Sequence, residues 1–186
     1  MKKTFLFIAF NICVVLGVHA QEISNSIKVN PLALWDGSDL LSYERGITKH
    51  SSVLFGAGIG RFRVGGLKYK SQGASLQYRY YFTESINKFY LGALAHYQGG
   101  EVIPGEEETI EFALAFFTIN RPIYFHSLGG GIKSGYQLAN KGGLTLDLNL
   151  GISYMPFNYK DHGTITVKLK ENGIIPTFGF GLGYSW

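Results

Sequence analysis

Strict alternation of apolar with small or polar residues is the feature that most constrains the fold of this chain. Every second residue from Leu144 to Tyr154 is apolar, which places successive side chains on opposite faces of a strand. The same alternation runs from Ile174 to the aromatic Trp186. Pro176 has no N–H to donate to a ladder, so it marks the start of that strand.

Eight segments show this pattern, and several have about 10 residues or more, the length at which a tilted strand crosses a bilayer. The segments are residues 27–34, 40–48, 52–64, 71–82, 88–98, 129–139, 144–154 and 174–186. The sequence therefore predicts an all-β fold, an eight-stranded antiparallel up-and-down transmembrane β-barrel.

A ten-strand barrel is the alternative. The connection 99–128 contains an apolar stretch, residues 110–119, that would supply a further strand, with a turn near 120–122. We favour eight strands, with this stretch extending a hairpin above the membrane or folding over the barrel mouth.

The connections between the predicted strands alternate in length. Short ones fall at 49–51, 83–87 and 140–143, and the others at 35–39, 65–70, 99–128 and 155–173. Alternate connections of an up-and-down barrel lie at the same end. This pattern therefore predicts short periplasmic turns and longer external loops, as in outer-membrane barrels.

The N-terminus has the pattern of an export signal. Lys2 and Lys3 precede a mostly apolar stretch, and Ala20 ends an acceptable cleavage site. We expect residues 1–20 to be a signal peptide and residues 21–186 a single outer-membrane barrel domain. Cys13 is the only cysteine of the chain, so the exported part would have no thiol chemistry.

The composition fits a sheet with an apolar exterior. Aromatic residues make up 15% of the chain and charged residues only 16%, against about 25% charged in ordinary soluble domains. After the signal, no uncharged apolar run approaches the roughly 18 residues of a membrane helix. Aromatic residues are expected near both rims: Phe82, Phe89, Tyr184 and Trp186 at the periplasmic rim, and Trp35, Tyr97 and Tyr154 at the external rim.

Polar residues at alternate positions are predicted to fill the barrel interior. The set is Lys28, Asn30, Ser42, Glu44, Gln77, Arg79, Lys133, Gln137, Asp147 and Asn149. Glu44 and Asp147 resemble a paired-carboxylate site. We interpret them instead as neutralising Lys28, Arg79 and Lys133, because an unpaired buried charge is costly. Our specific hypothesis is an ion pair between Glu44 and Arg79.

One arginine conflicts with this pattern. Alternation places Arg45 on the lipid face, where a mid-membrane arginine costs about 2–4 kcal/mol. Either it reaches the headgroups beside the short turn, or a β-bulge rotates it inward.

Other candidate sites are weaker. His126 and Ser127 resemble the histidine–serine pair of barrel enzymes that hydrolyse lipid A, but adjacent strand residues point to opposite faces. His96 and His162 are single histidines without metal-ligand spacing. The glycine-rich residues 56–60 are interpreted as small inward positions. The sequence therefore predicts no catalytic, cofactor-binding or metal site.

Two predicted external connections carry opposite charges. Glu101, Glu106, Glu107, Glu108 and Glu111 make one acidic, and Arg61, Arg63, Lys68 and Lys70 make another basic. One interpretation is that these are solvated loops that attract one another, or that the basic groups contact lipopolysaccharide phosphates. The other is a ligand or partner surface, since loops on a rigid scaffold commonly carry function.

Four short motifs carry a resemblance to a known family. They lie at 28–32, 42–46, 77–82 and 135–137. In this order and spacing the chain resembles the small outer-membrane barrels of Bacteroidetes-type bacteria described as a domain of unknown function. The resemblance implies an eight-stranded barrel similar in architecture to the OmpA/OmpX type. It implies no activity and no catalytic residues.

The residues together predict a non-enzymatic integral outer-membrane barrel with a structural or surface-interaction role. The alternatives are a lipid-modifying barrel enzyme and a narrow pore. The expected partners are outer-membrane lipid and lipopolysaccharide, and the barrel-assembly machinery, which would recognise the C-terminal strand. We expect no nucleic-acid partner, no cofactor and a monomer.

Overall fold

The computed structural model describes residues 25–34, 37–64, 67–103, 122–140, 142–160 and 172–186, and these form a closed β-barrel. The strands are β1 (Asn25–Val29), β2 (Leu41–Gly46), β3 (Ser51–Val64), β4 (Leu67–Tyr81), β5 (Lys88–Ile103), β6 (Ile123–Ala139), β7 (Leu144–Lys160) and β8 (Asn172–Ser185). Each strand pairs antiparallel with the next, and β1 pairs with β8 to close the ring. The predicted eight-stranded antiparallel up-and-down fold is confirmed.

The ten-strand alternative is wrong. Strands β5 and β6 pair directly from Lys88 and Gln137 to Val102 and Ile123, so no strand lies between them in the ring. Both strands are longer than predicted, and they remain paired with β4 up to Ile103 and with β7 up to Tyr124. The apolar stretch 110–119 lies outside the described residues, as does the predicted signal peptide.

The first predicted strand, 27–34, is too long. Strand β1 ends at Val29, and Pro31–Leu34 forms a short 3-10 helix, because Pro31 has no N–H for a ladder. The Asn30 side chain replaces the lost pairing: its Oδ1 accepts hydrogen bonds from the backbone N–H groups of Leu32 at 3.2 Å and of Phe180, in β8, at 3.3 Å. In the described part of the chain, no helix is long and apolar enough to span a membrane.

One connection differs from the predicted pattern of lengths. Strand β3 continues to Val64 and β4 begins at Leu67, so the predicted loop 65–70 shrinks to two residues. Lys68 and Lys70 lie in strand β4, where they are exposed and paired with Arg63 and Arg61 of β3. The expectation that every tight turn lies at one rim is therefore wrong at this hairpin. The other three tight turns share the end where Asn25 and Trp186 pair, which we call the short-turn end.

The two faces of the barrel have opposite chemistry. On β7, Leu148, Leu150 and Ile152 are exposed, whereas Thr145 and Asp147 are buried. This alternation holds around the ring, with apolar residues outside and polar residues inside.

Arg45 keeps its place in the alternation. The ladder between β2 and β3 is continuous from the Leu41–Ala57 pair to the Gly46–Ser52 pair, so the β-bulge alternative is wrong. Arg45 lies near the short-turn end, and its Nη1 is 3.5 Å from Asn25 Oδ1.

Candidate functional site

Four charged side chains from four strands meet inside the barrel. We call Lys28, Glu44, Arg79 and Asp147 the interior charge cluster. Lys28 Nζ lies 2.5 Å from Glu44 Oε2 and 2.9 Å from Asp147 Oδ2, and Arg79 Nη1 lies 3.3 and 2.7 Å from the same two oxygens. None of the four side chains is more than 3% exposed. Two cations and two anions leave the cluster neutral, which is the condition for burying charge at a tolerable cost.

Neutral side chains occupy the other carboxylate oxygens. The hydroxyl of Tyr81 donates to Glu44 Oε1 at 2.6 Å, and the Ser52 hydroxyl donates to the same oxygen. The hydroxyl of Tyr90 donates to Asp147 Oδ1 at 2.9 Å, and Gln137 Oε1 accepts from Lys28 Nζ at 2.8 Å. The network thus connects β1 to β7, and hydrogen bonds between buried polar groups in a low dielectric rigidify the structure that holds them.

This geometry confirms the predicted ion pair between Glu44 and Arg79 and refines it. The shorter contact of Arg79 is to Asp147. Lys133 does not join the cluster, contrary to the prediction, because it pairs with Asp39 at 3.4 Å. A general base must reach the proton that it removes. Both carboxylates are buried and every carboxylate oxygen already accepts a hydrogen bond, so this arrangement suits a structural role.

A glycine lets Tyr90 reach the cluster. The Tyr90 ring lies against Gly135 in β6, where an added Cβ would come within 2.5 Å of the ring carbon Cζ. Any side chain there would displace the tyrosine from Asp147. The guanidinium Cζ of Arg79 also lies 4.3 Å from the centre of the Tyr90 ring, a cation–π contact.

The connection between β1 and β2 folds into the barrel. We call residues 37–40 the inward connection. Asp39 accepts a hydrogen bond from Gln77 Nε2 at 2.9 Å and from the Ser75 hydroxyl, besides its pair with Lys133. The connection predicted at 35–39 lies at the end opposite the short-turn end, as expected, but its described residues turn into the barrel. Trp35, predicted at the external rim, lies outside them.

Glycines of β3 form the wall against which the inward connection packs. A Cβ on Gly58 would lie 2.7 Å from Leu40 Cβ, and one on Gly60 would lie 2.9 Å from the backbone nitrogen of Gly37. Gly37 itself has φ of 78°, a conformation that glycine adopts without strain. The predicted small inward positions are confirmed, and the backbone of the inward connection is the reason for their size.

The interior above the inward connection is aromatic. The rings of Tyr69 and Phe125 stack with centroids 5.4 Å apart, and Phe157 meets Phe125 edge-on at 6.0 Å. Below them, the cavity lined by Lys28, Asp39 and Lys133 measures about 20 Å³, room for about one water molecule.

The predicted histidine candidates do not assemble into a site. Ser127 is fully buried inside the barrel, whereas the neighbouring His126 is on the outward side, so the two lie on opposite faces as expected. His96 faces the interior, and His162 lies outside the described residues. Among the residues that the structure describes, no three His, Cys, Asp or Glu side chains are placed to hold a metal ion.

Several residues of the interior were not in the predicted set, among them Tyr81, Tyr90 and Asp39. Tyr81 and Tyr90 stand at inward positions of their alternating strands, so the alternation alone could have placed them inside. Asp39 carried no such signal, because it lies in a connection without periodicity.

Comparison with known proteins gives a family match and a structural likeness. Residues 5–179 match the family described as Protein of unknown function (DUF3575). No curated protein matches the chain. A solved structure similar to the chain is the crystal structure of Acinetobacter baumannii CarO2, with 11% sequence identity, a TM-score of 0.45, and coverage of 88% of this chain and 97% of that chain. Because the family match extends over most of its length, the chain belongs to the DUF3575 family.

Proposed function

We propose that this protein is an integral outer-membrane β-barrel, of OmpA/OmpX-like architecture, with a sealed interior and a non-enzymatic structural or surface-interaction role. Residues 1–20 would direct export and would be removed by cleavage after Ala20. The observation that carries the proposal is the inverted distribution of side chains: apolar residues cover the outside, and the interior holds the charge cluster.

The exterior supports a membrane location by its extent. Exposed apolar residues occur on all eight strands, including Ile27, Phe55, Leu76, Leu150 and Phe178. Soluble monomers rarely expose continuous apolar patches larger than a few hundred Å². An apolar belt that surrounds a closed barrel requires an apolar environment, and the hydrocarbon core of a bilayer provides such an environment.

Aromatic residues support the same location. At the short-turn end, Phe82 contacts Tyr80 and Phe89 with ring centroids 5.7 and 5.6 Å apart, and Tyr184 stacks on Trp186 at 6.2 Å. At the other end, Tyr97 and Tyr154 are exposed. Amphipathic rings favour the two membrane–water interfaces. The exposed Tyr184 and Trp186 also end the strand that the assembly machinery would recognise.

The packed interior argues against the narrow pore. The interior charge cluster crosses the barrel, and the inward connection lies beside it with space for about one water molecule. An eight-stranded barrel is just wide enough for side chains to fill it. A lipid-modifying enzyme would need a nucleophile and a base together at the interface, and the described histidines form no such pair.

Fractionation with gel mobility, bilayer recording and a lipid A assay test the proposal. After expression of the full chain, we expect it in the outer-membrane fraction, with the heat-dependent gel mobility of a folded barrel. In planar bilayers the purified chain should give no stable conductance. Recovery in the soluble periplasm would refute the membrane location, and stable single-channel steps would favour the pore. Release of fatty acid or phosphate from labelled lipid A would favour the enzyme.

A further inference from the structure

The end of the β3–β4 hairpin that lies opposite the short-turn end carries four cations on its outward face. Arg61 pairs in register with Lys70, and Arg63 with Lys68. All four lie on the same outward side as Ile59 and are exposed. We call these four residues the cationic hairpin face.

This arrangement opposes like charges. Side chains directly opposite on one face of an antiparallel pair have Cβ atoms about 4.5–5.5 Å apart, and like charges there are destabilising. Here two neighbouring pairs on the outward face, Arg61 with Lys70 and Arg63 with Lys68, have this unfavourable arrangement. In the described part of the chain, Glu101 is the acidic group that pairs with the face, with its Oε1 2.7 Å from Lys70 Nζ. Among the described residues, one carboxylate against four cations leaves an excess of three positive charges, which an external anion would stabilise.

The height of the cations relative to the apolar exterior indicates which anion fits. Ile59 is the last exposed apolar residue of β3 before Arg61, and Tyr97 lies in β5 near the same level. Arg61 is two residues beyond Ile59, a distance of about 7 Å along a strand. The polar headgroup layer is about 5–8 Å thick on each side of the hydrocarbon core. The cations therefore begin at the level of lipid phosphates.

We propose that the cationic hairpin face binds the phosphate groups of a phosphorylated glycolipid, of the lipid A class, in the outer leaflet. This inference rests on the proposed membrane location. Each guanidinium of Arg61 and Arg63 can donate two parallel hydrogen bonds to one phosphate, and Lys68 and Lys70 add positive charge around it. The lipid chains would lie along the apolar belt below.

The test compares binding of two lipids to the purified full chain in detergent micelles by native mass spectrometry. The probes are diphosphoryl lipid A and the same lipid with its phosphates removed. We expect the diphosphoryl form to bind at least about tenfold more tightly, and Arg61→Gln/Arg63→Gln to abolish that preference. Equal binding of the two lipids by the unmodified chain would overturn the proposal, even if the double variant failed to fold.

A matched control removes two charges at the other end. Lys49→Gln/Lys88→Gln changes exposed residues at the short-turn end, and it should keep the preference. Loss of the preference in this control as well would show a general charge effect and would overturn the specific site. Inorganic phosphate is the third probe: if it displaces the lipid at equal concentration, the face binds free phosphate and not a glycolipid.

Failure of this inference is distinguishable from failure of the proposed function. Heat-dependent mobility and insertion into phospholipid vesicles without lipid A report the membrane barrel alone. A chain that inserts but does not distinguish the two lipids would refute the glycolipid site and leave the membrane location standing.

Discussion

Arg79 Nη1 lies 2.7 Å from Asp147 Oδ2, and this contact joins β4 to β7 across the interior of the barrel. The two strands are not neighbours in the ring, so the pair links parts of the sheet that have no ladder between them. Lys28 and Glu44 close the same network from the other side. At this level of the barrel, charge-assisted hydrogen bonds connect the strands across the interior.

Removing one anion of the cluster should destabilise the barrel strongly. Asp147→Asn leaves Arg79 and Lys28 with an excess positive charge in a buried site, and breaking a buried pair costs about 3–5 kcal/mol. We expect a clearly lower urea midpoint for unfolding of the chain in vesicles. Glu101→Gln is the control: its pair with Lys70 is partly exposed, and its loss should cost less than about 1 kcal/mol. Equal midpoints for the two variants would contradict the role of the cluster.

Removing a cation and an anion together should cost less than the separate effects suggest. Glu44→Gln leaves an excess cation and Lys28→Met an excess anion, whereas the double variant keeps the cluster neutral with Arg79 and Asp147. A double-mutant cycle on unfolding free energies should give a coupling of about 1–3 kcal/mol. Strict additivity would show that the contact of 2.5 Å between Lys28 and Glu44 contributes no interaction energy.

The inward connection depends on the glycines of β3. In Gly58→Val the new side chain would collide with Leu40, whose Cβ lies 2.7 Å from the Cβ position, so the connection should move outward. With the only native cysteine in the predicted signal peptide, a Ser38→Cys probe reports this directly. We expect slow maleimide labelling of the buried probe in the parent and fast labelling with Gly58→Val. Ala57→Val, on the outward face, is the control and should leave labelling slow.

A buried isoleucine closes the short-turn end. Ile86 lies in the turn between β4 and β5, is fully buried and has φ of 63°, a conformation that β-branched residues avoid. Its burial must offset this strain. Ile86→Ala should therefore cost about 2–5 kcal/mol of stability. Ile47→Ala, at an exposed position in the neighbouring turn, should cost far less, and similar losses at both positions would contradict the inward position of Ile86.

Most of the barrel could be predicted because period-two alternation is a local property. Every strand of the barrel shows this alternation, so it predicted the number of strands and their two faces. It also predicted the interior position of Glu44, Arg79 and Asp147, because residues at alternate positions of a strand share a face. The Glu44–Arg79 pair was expected for the same reason. The alternation does not predict how far along the barrel axis a side chain lies. For this reason Lys133 was grouped with a cluster that it does not reach.

The parts that could not be predicted depend on contacts between distant segments. The inward connection has no periodicity, and Asp39 enters the barrel only because Gly58 and Gly60, on another strand, leave room for the backbone. The full length of the β3–β4 hairpin depends on pairing between two strands, which continues up to Val64 and Leu67. In both places, local sequence character was overridden by pairing across the structure.

The most direct test of the central claim is the environment of the outward residues of β7. Nitroxide labels at single cysteines replacing Leu148, Leu150 and Ile152, all exposed, would be studied in vesicles, with the interior position Asn149 as the reference. We predict high collision rates with oxygen and low rates with a polar nickel complex at the three outward sites, and low rates with both at Asn149. High nickel collision rates at the outward sites would contradict a barrel whose apolar exterior lies in lipid.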